Sequence, residues 1–133
     1  MIRKLRYSLL PGRYAVCRLQ ASAAIPHWAL PSNGFCSITR TPDELSIVCA
    51  EDRVPSVIDA ARGWVCLKLE GPFAFSETGI LSSFLAPLAD SRVGIFAIST
   101  FDTDYVLIQA QAWPKALEAL RAAGHEEVGL ADS

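Results

Sequence analysis

The residues whose types and spacing could do chemistry fall in two short runs, Phe75-Ser76-Glu77-Thr78-Gly79-Ile80 and Ser99-Thr100-Phe101-Asp102-Thr103-Asp104. Glu77 and Asp104 are acceptors for an ammonium or guanidinium group. Gly79 stands near the start of a helical pattern. A helix start offers unpaired N–H groups and partial positive charge to a carboxylate, and a residue without a Cβ admits a ligand close to the backbone. Phe75 and Phe101 could supply apolar or cation–π walls. Such a set could read both ends of a zwitterion. Each member also has a plainer reading: Asp104 as a hairpin-turn acid, Glu77 as a complement to the helix dipole, Gly79 as a close-packing residue, Phe101 as a half-buried turn aromatic, Phe75 as core or interface.

Other chemistries find little support. Ser46 and Ser99 lack a neighbouring general base, and no GxxxxGK phosphate loop occurs, so catalytic residues and an enzyme are not expected. His27 and His125 have no Cys or acid at ligand spacing, which argues against a metal; no cofactor is expected either. His125 follows the helix stop Gly124 and is expected to pair with that helix end. Cys17, Cys36, Cys49 and Cys66 form no CxxC pair and sit in apolar, strand-like runs, so buried reduced thiols are expected.

The elements that position these residues read as two unequal copies. Ser37–Val48 (SITRTPDELSIV) aligns with 97–108 (AISTFDTDYVLI) at an offset of sixty, which sets Glu44 against Asp104. Each is strand, polar turn, strand. Tyr14–Leu19 resembles 64–69 at an offset of fifty. The longer gap in the second copy holds Ile80, Leu81, Phe84, Leu85 and Leu88 at helical spacing, with Pro87 expected to kink the helix or loosen its last turn. The matching stretch of the first copy carries Pro26, Pro31 and Gly34, so its helix should be short or absent. Trp113, Ala116, Leu117 and Leu120 mark a second helix between Pro114 and Gly124, and a closing strand is expected over 126–130. Glu51–Gly63 is ambiguous; Val57, Ile58 and Ala61 could face inward on a short helix opened by Pro55 and Ser56. The second copy is thus β-α-β-β-α-β, the ferredoxin-like pattern of an α+β fold with antiparallel sheets and helices on one face. Residues 1–62 are read as a degenerate N-terminal module and 63–133 as a C-terminal module. In 93–101 both alternating sets are apolar, so the strand is expected to be buried on both faces, partly by another repeat or another chain.

The chain has 133 residues, 51% hydrophobic and 20% charged, with a formal net charge of -2. That suffices for one compact domain or two small modules. It gives no basic footprint for nucleic acid. No signal-peptide h-region and no run of about 18 apolar residues is present, so neither export nor membrane spanning is expected, and the cytoplasm is the default compartment.

The runs LLPGRYAVCRL (9–19), SITRTPDELSIV (37–48), GPFAFSETGILSSFLAPLA (71–89) and GIFAISTFDTDYVLI (94–108) occur in an order that resembles the ACT domain family. Within it they look like the short two-module bacterial ACT proteins related to the CASTOR arginine sensors. The resemblance implies tandem ACT-like modules, a homodimer, and a small amino acid, arginine first, bound at a module or dimer interface. It maps ligand contacts to Glu77, Thr78, Gly79 and Ile80, and to Ser99, Thr100, Phe101 and Asp104. Gly94 and Ile95 map to strand positions contributed by the opposing module. The sensors have four modules and this chain at most two, so the pockets would form between chains. The function this implies is amino-acid sensing or regulation. The alternative is an interaction module with a vestigial pocket and no ligand.

Overall fold

The structure, a computed structural model, describes residues 3–30 and 34–129. The described residues divide into two compact units, one within 12–64 and one of 3–11 with 65–129.

The larger unit holds β1 (Arg6–Leu9), the end of β5 (Ala60–Leu69), α1 (Ile80–Asp90), β6 (Phe96–Ser99), β7 (Asp104–Gln109), α2 (Trp113–Ala122) and β8 (Glu126–Glu127). From β5 onward this is the expected β-α-β-β-α-β order. Its strands run β8-β1-β5-β7-β6. All neighbours whose register is given are antiparallel except β1 and β8. Alternate residues of the central strands face the helices. Val65, Leu67 and Leu69 of β5 and Val106 and Ile108 of β7 meet Phe84, Leu88, Ala116 and Leu120 of the helices in one buried cluster. The helices therefore cover one face, as the sequence pattern implies. The division at residue 62 does not describe the N-terminus: β1 pairs with β5, Tyr7 opposite Leu69, and so belongs with the C-terminal part.

Pro87 leaves a specific mark on α1. A proline at 87 has no N–H to give the carbonyl four residues earlier, that of Ser83. The helix nevertheless continues to Asp90. The vacated Ser83 carbonyl accepts instead from His125 Nε2–H at 3.0 Å, while His125 Nδ1 accepts from the Leu5 N–H at 3.0 Å. The two backbone partners assign the neutral ring one tautomer. His125 thus bridges α1 and the N-terminal segment; its ring does not turn to the end of its own helix. Burial pushes its pKa below the usual value.

The smaller unit, with β2 (Tyr14–Leu19), β3 (Ser37–Arg40), β4 (Leu45–Ala50) and the start of β5, has the order β3-β4-β2-β5. Among the described residues it carries no α-helix. A single 3-10 turn, His27–Ala29, stands where the other unit has α1, and its Ala29 is buried with Cys17, Leu45, Ile47 and Cys49. Loop carbonyls left without helical partners accept from arginines: Arg40 to Ala21 and Ala23, Arg53 to Trp28, Arg62 to Pro55. The short helix considered around Pro55 does not form. A 3-10 turn occupies Glu51–Arg53, β5 begins at Ala60, and Val57 is 88% exposed.

The hairpins correct the sequence alignment by one residue. Arg40 and Ser99 end the first strands, and Leu45 and Asp104 begin the second, so the true offset is 59. The turns confirm it: the Thr41 N–H donates to the Glu44 carbonyl at 2.9 Å, and the Thr100 N–H to the Thr103 carbonyl at 2.8 Å. Glu44 therefore matches Thr103, and Asp104 matches the buried Leu45. Nor is 93–101 a strand buried on both sides. β6 covers Phe96–Ser99 only, pairs only with β7 among the described strands, and leaves Ala97 and Ser99 exposed.

Candidate functional site

The site is built where the β5–α1 connection crosses the β6–β7 turn. Thr103 donates its hydroxyl to the Leu69 carbonyl at 2.7 Å, and the Phe73 N–H donates to the Asp102 carbonyl at 2.9 Å. A Cβ at Gly71 would come within 3.1 Å of that same carbonyl, so the crossing is close because residue 71 has no side chain. Glu77 fastens the strap further. Its Oε1 accepts from the Ala74 N–H at 2.9 Å and its Oε2 from Arg3 Nη1 at 3.0 Å. These two donors hold its carboxyl below the usual range. Gly79 then turns the chain into α1 with φ at 77°, a left-handed conformation that L side chains rarely adopt.

Strap and turn enclose a cleft of about 240 Å³. Phe75, Glu77, Ile80, Ser99, Thr100, Phe101 and Asp104, seven of the predicted positions, line it. Phe75 and Phe101 are 76% and 78% exposed, and their rings meet edge-to-face at 4.8 Å. Phe75 is thus a cleft wall and not core. Asp104 lies on the helix side of the sheet, opposite Ser99, whose hydroxyl donates to its Oδ1. The lining contains three carboxylates, of Glu77, Asp102 and Asp104, and no lysine or arginine. Chemically it is an acidic cleft with an aromatic rim, suited to a cation that also presents an apolar stem.

Four predicted positions do not line it. Thr78 and Gly79 are exposed at the entry to α1. Gly94 and Ile95 precede β6, at the opposite end of that strand from Ser99, and both are exposed. Sequence reasoning missed Phe73, Ala74, Asp102 and Thr103, which do line it. The signal available for the last two was their place inside the Ser-Thr-Phe-Asp-Thr-Asp run.

Among the described residues no group of three or more His, Cys, Asp or Glu side chains could hold a metal ion, and no helix is long and apolar enough to cross a membrane. The four cysteines are free. Burial pushes the Cys66 thiol up to about 12 and the Cys49 thiol up to about 11.

Comparison with known proteins shows what the chain is similar to. A family model described as the ACT domain matches residues 59–122, and a second, of an N-terminal domain, matches 12–57. The human protein CASTOR3P is 34% identical over 95 residues, 60% of this chain and 57% of its own length. The bovine cytosolic arginine sensor for mTORC1 subunit 1 is 28% identical over 88 residues, 58% of this chain and 27% of its own. The chain therefore matches only part of these curated relatives. A solved structure of an Agrobacterium tumefaciens protein is 45% identical, with a TM-score of 0.90, over 98% of this chain and 96% of that one.

Proposed function

The chain belongs to the ACT domain family, and from that premise we propose that it is an amino-acid-binding regulatory protein, not an enzyme, with its ligand in the acidic cleft. The observation that carries this reading is the convergence of Ser99, Thr100, Phe101 and Asp104 with Phe75, Glu77 and Ile80 around one opening. Asp104 takes the ligand's cation, and the phenylalanine rings flank its stem. The named relative that is an arginine sensor makes arginine the leading candidate. Gly94 and Ile95 fit the site only if a second chain supplies them. Together with the edge position of β6, this supports a homodimer in which the cleft is completed across chains. We place the protein in the cytoplasm by analogy with that cytosolic relative.

One observation favours the rival reading, an interaction module without ligand. Both oxygens of Glu77 already have protein donors, so this acid acts first as a staple of the strap. A thermal-shift series with the twenty standard amino acids separates the two. Ligand at about a hundred times Kd adds about 2.7 kcal/mol by mass action. A rise in melting temperature with a basic amino acid supports the sensor. No rise with any of the twenty at millimolar concentration leaves the interaction module. Light scattering is expected to give twice the mass of the 14.4 kDa chain, and a monomer with or without amino acids refutes the completed cleft.

A further inference from the structure

A second cleft, of about 190 Å³, lies on the other side of the same β6–β7 turn. Thr100, Asp102 and Thr103 line both clefts. The strand alternation separates them. Asp104 shares the helix side of β7 with Val106 and Ile108, whereas Tyr105 points to the opposite face. Lys68 of β5, between the buried Leu67 and Leu69, and Glu70, just past the end of β5, alternate with those leucines and so fall on that opposite face. All three line the second cleft.

Its electrostatics differ from those of the first. Here one ammonium, that of Lys68, stands with two carboxylates, Glu70 and Asp102. Among the described residues the Lys68 ammonium and the Asp102 carboxylate make no hydrogen bond or ion pair. Glu70 uses one oxygen, Oε2, to accept from Ser8 Oγ at 3.2 Å. The other oxygen has no protein donor among the described residues. Lys68 and Glu70, two residues apart on one face, have Cα atoms roughly 6.6 Å apart. One ammonium and two carboxylates on the wall of one cleft offer a partner for a carboxylate and partners for an ammonium, the two charged groups of a free amino acid. The Tyr105 phenol keeps its proton more strongly than usual, through burial first and then the charges of Cys66, Asp102 and Glu70. The cleft is smaller than a drug-sized pocket, and Gly71 and Pro72 also line it, which favours a small ligand.

We propose that this second cleft binds a small zwitterionic amino acid, with Lys68 on its carboxylate and Glu70 and Asp102 on its ammonium. The site lies across the β6–β7 turn from the acidic cleft and shares Asp102 with it, whereas Lys68 and Glu70 line the second cleft and not the first. The test is calorimetric titration of the intact chain with each standard amino acid in turn, repeated with Lys68→Met, Glu70→Gln and Asp104→Asn. The proposal expects a small amino acid whose affinity falls at least tenfold in Lys68→Met and in Glu70→Gln. Acetate and methylammonium, each carrying one charged end, should bind at least tenfold more weakly than that amino acid. Unchanged melting temperatures show that the variants fold; Glu70→Gln keeps the acceptor for Ser8, so it serves should Lys68→Met unfold. If no amino acid depends on Lys68 or Glu70, the proposal is overturned. It is equally overturned if acetate binds as tightly, which makes the cleft a plain anion site. A ligand lost only in Asp104→Asn belongs to the acidic cleft and leaves the second cleft empty of function.

Discussion

Replacing His125 by leucine removes a ring that serves two buried backbone groups at once, the Ser83 carbonyl and the Leu5 N–H. A buried polar group left without a partner costs about 1–3 kcal/mol, so the substitution should destabilise the protein by about 2–6 kcal/mol. The Ser83 half of that loss exists only because Pro87 cannot supply the usual helical N–H. In a Pro87→Ala background the amide at 87 returns to Ser83, and leucine at 125 then orphans the Leu5 N–H alone. The penalty should fall to about 1–3 kcal/mol, a coupling of about 1–3 kcal/mol between two residues 38 positions apart. Urea denaturation of the four proteins in this cycle measures it, provided the slope with denaturant stays constant. Equal penalties in the two backgrounds, within about 0.5 kcal/mol, would refute the account of how α1 tolerates its proline. Ser83 also accepts at Oγ from the Arg3 N–H at 3.1 Å, and Arg3 in turn holds Glu77.

Three further outcomes are expected. The folded His125 pKa is depressed by burial, so the unfolded chain binds more protons. The stability from neutral His125 is full above its usual value of 6.5 and is lost as pH falls through the folded pKa; urea midpoints between pH 7 and pH 5 should show this slope, and His125→Leu should abolish it. At pH 8 the raised thiol pKa of Cys66 leaves a thiolate fraction of about 10⁻⁴, so a disulfide reagent should leave Cys66 and Cys49 unmodified in native protein and titrate them only in denaturant. Glu44→Gln should leave amino-acid affinity unchanged, because the corrected register pairs Glu44 with Thr103 and its own ion-pair partner is Arg18; an affinity loss in that variant, read by calorimetry, would tie the first hairpin to the site.

Much of this was legible in the sequence, for identifiable reasons. Ile80, Phe84 and Leu88 on α1, and Ala116 and Leu120 on α2, recur at the helical period because one face alone is buried. That the acids and aromatic of the Ser99–Asp104 run would line an opening and not the core was legible from their types. The one-residue slip between the hairpins was not legible. Val106, Leu107 and Ile108 are all buried, so β7 is apolar on both faces and its pattern does not fix which set points to the helices. Hydrogen bonds in the turns fix it, and they depend on Thr41 and Thr100, not on hydropathy. Glu51–Gly63 misled because apolar Val57 suggested an inward face, yet Pro55 and the early start of β5 leave no length for a helix. The pairing of Arg6–Leu9 with β5 rests on contacts about sixty residues away, which no local pattern reports. Asp102 joins the cleft through Phe73 of the strap and Thr103 through the Leu69 carbonyl, tertiary contacts of the same kind.

The central claim is that the acidic cleft binds a free amino acid through Asp104. Calorimetric titration of L-arginine into the wild-type chain and into Asp104→Asn tests it most directly. The asparagine keeps an acceptor for Ser99 and removes the charge. The account predicts saturable binding to the wild type and a loss of about 1.5–3 kcal/mol in the variant, which is roughly ten- to more than a hundredfold, with the ligand-free melting temperature nearly unchanged. No binding by the wild type, or identical affinity in Asp104→Asn, would contradict it.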